Sequence, residues 1–496
     1  MLDFVSQVLS FLSSLFVFIL GMALLLIAVL YVIDITQTGS AIRRNYPVVG
    51  RFRYFFEELG EFFRQYFFAM DREEMPFNRA ERSWAYRAAK GLDSTVAFGS
   101  TRDLSKAGTA IFVNCPWPML DEDFTGTSPV TIGAACERPY TTDRVIHISA
   151  MSYGAISKPA VRALSKGACM SGCWLNTGEG GLSPFHLEGG ADIVFQIGTA
   201  KYGVRDAEGR LDDEKLLTVA GHEQVRMFEI KLSQGAKPGK GGILPAEKVT
   251  EEIAAIRGIP VGEASISPNR HRDVGTVEEL LDLINRVREV TGKPVGFKTV
   301  VGAYGWLEDV FREARARGPE CGPDFITVDS GDGGSGAAPM PLIDNVGLPI
   351  RESLPLVVDI LVRTGMRDRV KVIASGKIIN PSQAAASLCA GADFIATARG
   401  FMFALGCIQA MKCNKNTCPT GITTHDERLQ RGLVVEDKAQ RVMRYQQNME
   451  KEVGMIAHSC GVPEPRRLKR FHCRAVQPNG TSIPMNELYP DATPSV

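Results

Sequence analysis

The chain has 496 residues, 45% of them hydrophobic, and its 56 Lys and Arg are balanced by 56 Asp and Glu, so the formal net charge is zero. That length allows a large core, and without a basic run interleaved with aromatics nothing points to nucleic acid. Its 11 cysteines are too sparse for a disulfide scaffold and fit metal or catalytic use in a reducing compartment.

The run from Leu9 to Ile33 carries no charge and is dominated by Leu, Phe, Ile, Val and Ala. About 20 such residues cross a bilayer, and no small-residue cleavage site follows, so 9–33 is expected to be one uncleaved transmembrane helix. Arg43, Arg44, Arg51 and Arg53 follow it and no Lys or Arg precedes it. The positive-inside rule then puts the bulk of the chain in the cytoplasm, as a single-pass protein of the inner or cell membrane. Residues 46–70 mix arginines with Phe and Tyr, as an interfacial segment would. The juxtamembrane segment and an irregular extension are assigned to 34–143.

From about residue 140, short apolar strands alternate with helical runs. The expected strands are 144–152, 173–178, 192–198, 227–235, 294–300, 324–334, 371–377 and 392–400. Helices are expected over 158–170, 276–290 and 381–392, with Pro159, Pro245 and Pro381 at or near helix starts. Eight β/α units predict an α/β fold, a TIM (β/α)8 barrel over 144–430 with its active site at the carboxy ends of the strands. Residues 199–226 and 235–275 would be elaborations over the mouth, and 431–496 a C-terminal extension.

The residues able to do chemistry gather at those strand ends. DSGDGGSGAAP (329–339), ASGK (374–377) and ARG (398–400) are small-residue loops on successive strands, suited to a phosphate-bearing cofactor, with FMN the natural candidate. Lys231 and Lys298 sit in strand patterns with apolar neighbours, where a cation serves a flavin or an acidic substrate. NTGEGG (176–181) adds Glu179 at another strand end. His222 and His271 read as structural. Neither a Ser-His-Asp arrangement nor HExxH is present, so hydrolysis is not favoured.

GCIQAMKCNKNTCPTG (406–421) holds Cys407, Cys413 and Cys418, with five and then four residues between them. Three thiolates so spaced fit a three-iron cluster; a Cys₃His zinc site with His425, or plain thiols, fit the spacing too.

SAMSYGAIS (149–157), NTGEGG, IKLSQGAKPGKGGILP (230–245), SGDGGSGA (330–337), RDRVKVIASG (367–376) and ALGCIQAMKCNKNTCPTGI (404–422) together resemble the synthase domain of glutamate synthase, in unbroken order over roughly 140–430. The resemblance implies a TIM barrel binding FMN and a 3Fe–4S cluster held by Cys407, Cys413 and Cys418. It places Ala150, Met151 and Ser152 along the flavin, Gln196 and Lys231 at its polar edge, and Gly333, Gly334, Gly376, Arg399 and Gly400 around its phosphate. Lys298, with Glu179 close by, would lie where 2-oxoglutarate binds. The implied reaction is reductive amination of 2-oxoglutarate, through 2-iminoglutarate, to L-glutamate, in the class of oxidoreductases acting on CH–NH2 donors.

The departures are informative. The family's glutaminase domain is replaced by the apolar helix, so nitrogen is expected as free or partner-supplied ammonia. This shape resembles the short, membrane-tethered glutamate synthase-like proteins. VVGAYG (300–305) lacks the acidic loop expected after Lys298, and ATARGFMFALGC (396–407) differs in length. With no GxGxxG unit for a nicotinamide, ferredoxin or a separate reductase subunit is the expected electron donor. The alternatives are a related amine or keto-acid synthase, such as N-methylglutamate synthase, and a membrane-anchored electron-transfer subunit.

Overall fold

A computed structural model describes residues 2–63, 67–124 and 126–494; residues 64–66 of the aromatic segment lie outside them. The chain forms two compact units, Met1–Ala80 and Glu81–Val496.

In the first unit, helix α1 (Leu2–Thr36) is followed by α2 (Ala41–Asn45) and α3 (Gly50–Phe63). The stretch Asp3–Thr36 is long and apolar enough to cross a membrane by length and composition, and its apolar window is not buried. At ~1.5 Å per residue it exceeds the ~30 Å hydrocarbon layer. Asp34, near its end, is wholly buried: it accepts from Arg51 Nε at 2.9 Å and Nη2 at 2.8 Å, and from the Val48 N–H at 3.0 Å. This bidentate pair ties the start of α3 to the end of α1. Phe52, Phe55 and Phe56 then stand exposed along one side of α3.

The second unit is built on a closed barrel of eight parallel strands. They are β1 (Ile146–Ile148), β2 (Leu175–Asn176), β3 (Ile193–Ile197), β4 (Val225–Lys231), β5 (Val295–Val300), β6 (Phe325–Asp329), β7 (Lys371–Ser375) and β8 (Phe394–Thr397). All eight expected strands are present, in the expected order, and β8 closes on β1. Most expected segments overran the strands at their carboxy ends, where the chain turns into the loops of the mouth; β5 ends at Val300 as expected, and β4 begins two residues before the expected 227.

The two-residue alternation of the strands sorts their side chains. Ile146, Phe195, Phe228, Phe297, Ile326, Val372 and Ile395 face outward and pack with Leu280, Ile284, Val310 and Leu361 of the surrounding helices. Each such burial is worth roughly 1.5–3 kcal/mol. The inward residues change character along the barrel. At its start Trp174, Val194, Met227, Phe325, Ile373 and Phe394 form an apolar plug, completed by Ile132 and Tyr140 of an antiparallel hairpin beneath. Two or four residues later the same inward face carries Asn176, Gln196, Glu229, Lys231, Thr327, Asp329 and Ser375, all buried. The chain therefore builds a dry floor and a polar mouth on the same strands.

The helices follow their capping signals. Lys158–Ser171 starts at Ser157, which caps the Ala160 N–H, and stops at left-handed Gly172. Val277–Thr291 opens with a Thr276/Glu279 capping box, and Pro381–Cys389 with the Asn380 cap. Pro245 begins only the short turn Ala246–Lys248, and the helix after it is Glu251–Arg257. Beyond 431, the helix Val435–Ser459 lies against Lys158–Ser171, so closely that a Cβ on Gly167 would sit 2.5 Å from that of Val442.

Candidate active site

Lys231 ends β4 and Lys298 lies beside it on β5, paired in register. Two ammonium groups on adjacent strands repel unless anions intervene, and here three do. Lys231 Nζ sits 2.9 Å from Glu179 Oε1, and Lys298 Nζ 3.3 Å from Asp329 Oδ2. Deeper in the barrel, Glu229 accepts from Asn176 Nδ2 at 2.9 Å, Gln196 Nε2 at 2.6 Å and Thr327 Oγ1 at 2.5 Å. Burial acts to strip the Lys298 proton, but Asp329 and Glu229 outweigh it and raise its pKa. Burial likewise acts against the Glu179 carboxylate, but Lys231, Lys237 and Arg257 hold its pKa low. Both groups stay charged in an almost dry site.

Glycines make room for this arrangement. A Cβ at Gly198 would sit 2.6 Å from Glu179 Cβ, and one at Gly242 would overlap its carboxylate. Gln234 accepts from Lys231 Nζ at 2.5 Å and donates to the Gly334 carbonyl at 3.2 Å. Lys237 Nζ donates to the Ala337 carbonyl at 3.2 Å; burial and the Lys231 charge push it down to about 8. The loop after β4 thus reaches across to the loop after β6 with one amide, Gln234, and one ammonium, Lys237.

That second loop forms a cradle. Gly376 is left-handed (φ 94°), and a Cβ there would sit 2.7 Å from Ser330 Cβ. A Cβ on Gly334 would sit 2.9 Å from Arg399 Nε. Arg399 is pushed down to about 10 by burial, against the pull of Asp332 and Asp329, and its Nη2 donates to the Asp332 carbonyl at 3.3 Å. Lys377 pairs with Asp332 at 3.1 Å. Small residues, a half-buried guanidinium and a neighbouring ammonium fit a phosphate group, which needs close backbone approach and cations.

Ala150, Met151 and Ser152 follow β1, half-buried, with Gly178 against them: a Cβ there would be 2.6 Å from the Ser152 nitrogen. Two expected residues are engaged elsewhere. Gln196 spends its amide on Glu229 inside the barrel. Gly400 gives its N–H to Thr397 Oγ1 at 3.3 Å, and a side chain there would overlap the Tyr445 hydroxyl, so its small size serves helix packing.

Cys407, Cys413 and Cys418 sit on one loop after β8. Among the described residues, no group of three or more His, Cys, Asp or Glu is arranged to hold a metal ion. The thiols are nonetheless neighbours: burial pushes Cys407 up to about 12, and Cys413 and Cys418 add to the rise. Cys407 Sγ accepts from the Gln409 N–H at 3.4 Å, and Cys418 Sγ lies 3.4 Å from Thr420 Oγ1. Burial opposes the Cys418 thiolate, but hydrogen bonds from Thr420 and Thr423 bring its pKa below the usual value. His425 directs Nε2 to the Gly154 carbonyl at 2.8 Å instead of toward the sulfurs. The donor set, three thiols with hydrogen-bond donors to sulfur, fits an iron–sulfur centre in chemistry.

Sequence reading missed Glu229, Lys237, Lys248 and Arg257. Glu229 had a signal: it precedes Lys231 by two residues in a strand, which puts both on one face.

The conserved region of glutamate synthase matches residues 114–463 of this chain. The chain is 37% identical over 509 residues to the glutamate synthase large subunit-like protein YerD of Bacillus subtilis (strain 168), covering 95% of this chain and 96% of that one. It belongs to the glutamate synthase family. A second relative in this family, the archaeal-type glutamate synthase [NADPH] of Thermotoga maritima, is 34% identical over 345 residues, 69% of this chain and 64% of that protein. The alignment thus leaves about a third of that relative unmatched. Among solved structures, a chimera of (S)-mandelate dehydrogenase superposes with a TM-score of 0.49 at 12% identity, over 79% of this chain and 99% of that one. As a glutamate synthase family member the chain is an oxidoreductase, and the motif resemblance over 140–430 falls inside the matched region.

Proposed function

We propose that this chain binds FMN and an iron–sulfur cluster and reductively aminates 2-oxoglutarate, through 2-iminoglutarate, to L-glutamate. The observation that carries the reading is the mouth: buried Lys231, Lys237 and Lys298 face one another beside a small-residue cradle. Three ammonium groups gathered at one mouth suit a dicarboxylate, and the cradle of Ser330, Gly333, Gly334, Gly376 and Arg399 suits the phosphate of FMN.

When bound, FMN supplies the hydride that reduces C2 of the imine. Lys231 and Lys237 are assigned to the substrate carboxylates. Glu179 fixes the Lys231 ammonium through its 2.9 Å contact. Lys298 keeps its proton on Nζ because Asp329 and Glu229 stabilise it, so it acts as a fixed positive charge and proton donor rather than a base. Ala150, Met151 and Ser152 line the flavin. The apolar floor closes the barrel beneath the site, so water reaches it only through the mouth. Cys407, Cys413 and Cys418 would hold the cluster, with electrons arriving from ferredoxin or a separate reductase subunit. Ammonia enters free or from a partner. The apolar helix anchors the protein in the inner or cell membrane with the barrel in the cytoplasm, supported by the arginines that follow it.

The test is reoxidation of the flavin in anaerobically purified, reduced protein on adding 2-oxoglutarate with ammonium, with methylamine or alone. Reoxidation with ammonium, yielding glutamate, is expected. A response to methylamine alone would transfer the assignment to an N-methylglutamate synthase. No response to any keto acid would leave an electron-transfer role and overturn the synthase reading. Lys298→Ala should abolish turnover and keep the flavin spectrum.

A further inference from the structure

The loop that follows β1 has three successive carbonyls held by side chains from three separate places. Arg257 Nη2 donates to the Tyr153 carbonyl at 3.1 Å, His425 Nε2 to that of Gly154 at 2.8 Å, and Lys248 Nζ to that of Ala155 at 2.7 Å. Lys248 also donates to the Cys413 carbonyl at 3.2 Å. It is among the largest wholly buried side chains of the protein, at 1% exposure. A buried ammonium is retained only where acceptors replace its water, and these two carbonyls belong to different loops. One carries Met151 and Ser152; the other carries the three cysteines.

The surroundings support a clasp rather than space filling. Asn416 Nδ2 donates to the Glu247 carbonyl at 3.2 Å, next to Lys248, and Asn416 Oδ1 accepts from the His425 N–H at 2.7 Å. The Ser157 N–H donates to the Ile422 carbonyl at 2.8 Å. The cysteine loop is thus fastened on both sides, to the turn Ala246–Lys248 and to the loop after β1. Left-handed Gln409, Met411 and Asn416 show that this loop keeps a conformation an unrestrained chain would rarely hold.

We propose that Lys248 is a positioning residue that clasps the cysteine loop to the loop after β1, fixing the sulfurs relative to the segment assigned to the flavin. This rests on the proposed function only for the identity of the two cofactors; the clasp itself is a property of the chain. Nothing in a thiol-spacing motif calls for it, because Lys248 lies far from Cys413 in sequence. A methionine would fill the same room without donating, and an arginine would restore donors in a different shape.

The experiment uses the full chain, purified as Lys248→Met, Lys248→Arg and unaltered protein. The first measurement is the rate at which a maleimide labels each cysteine in iron-free protein, read residue by residue by mass spectrometry. The second is iron and acid-labile sulfide per chain after reconstitution. Lys248→Met should speed labelling of Cys413 and Cys418 about tenfold, as loss of a hydrogen-bonded closure would. Cys389 and Cys473, buried elsewhere, should label as before, and Lys248→Arg should fall between. Reconstituted iron should drop in the same order. Unchanged labelling of Cys413 and Cys418 in Lys248→Met overturns the clasp. So does equal acceleration at Cys389 and Cys473, which would make Lys248 a general core residue. If unaltered protein takes up no iron, the cluster assignment fails, while the labelling rates still decide the clasp.

Discussion

Lys231 Nζ lies 2.9 Å from Glu179 Oε1, with about a tenth of either side chain exposed. The lysine comes from the end of β4 and the glutamate from the turn after β2, so the barrel brings together two segments that the sequence keeps apart. A pair so buried repays its desolvation only when further bonds satisfy both ions. Gln234 supplies one such bond to Lys231, and the Lys237 and Arg257 charges favour the Glu179 carboxylate.

Gly242→Ala tests that pair. The new methyl group would overlap the Glu179 carboxylate, which is the movable end of a flexible side chain. The fold should survive with a loss of about 1 kcal/mol, while Glu179 is driven off Lys231. Flavin reoxidation by 2-oxoglutarate and ammonium should slow at least roughly tenfold, the equivalent of ~1.4 kcal/mol of lost positioning. Stopped-flow absorbance beside a thermal melt reads both quantities.

Glu229 separates charge from hydrogen bonding. In Glu229→Gln the amide oxygen still accepts from Asn176 and Gln196, and the Thr327 hydroxyl can turn to accept from the new NH2. Glu229→Ala leaves those three buried donors unpaired, at roughly 1–3 kcal/mol each before relaxation. Thermal midpoints should therefore fall in the order unaltered, Gln, Ala. A Gln variant no more stable than Ala would show that the charge beside Lys298 matters more than the bonds.

Acid should unfold the protein through buried histidines. His147 Nδ1 accepts the Trp174 N–H at 3.1 Å and His186 Nδ1 the Ser183 N–H at 3.0 Å, bonds that need a neutral ring. Burial pushes His186 and His271 down to about 4 and His147 well below its usual range. The unfolded chain, with histidines near 6.5, then binds more protons than the folded one between pH 6.5 and about 4. Stability should be complete above pH 6.5 and decline as pH falls through that window. Melting temperatures across pH 4–7 check it, and His186→Asn should flatten the slope.

The apolar helix makes a prediction about partitioning. Full-length protein should stay with membranes through alkaline carbonate extraction. Placing Arg at both Leu20 and Leu24 costs ~3 kcal/mol each at the centre of a span and should move the protein to the soluble fraction. If the altered chain stays in the pellet, the α3 face with Phe52, Phe55 and Phe56 is holding it there.

Much of the fold was legible because its signals are local. Short apolar runs such as DIVFQIG and DFITVDSG mark strands, and Ser157, Thr276 and Asn380 mark helix starts by their own side-chain bonds. Lys231 and Lys298 stood out because a lysine inside an apolar strand is conspicuous from neighbours alone. Gly400 read like the other loop glycines, yet its smallness answers to Tyr445 on a later helix. Gln196 read as a cofactor contact, yet its amide meets Glu229 across the barrel.

The sequence by itself determined the eight strands, the apolar amino-terminal helix, the small-residue loops and the cysteine spacing, since each depends on residues a few positions apart. Only the tertiary structure decided which charges share the mouth, that Glu229 sits beneath Lys298, and that Lys248 ties the cysteine loop to the loop after β1. Those relationships depend on barrel closure, which sets residues from distant strands within hydrogen-bond reach, and no local pattern records which partner a buried charge will find.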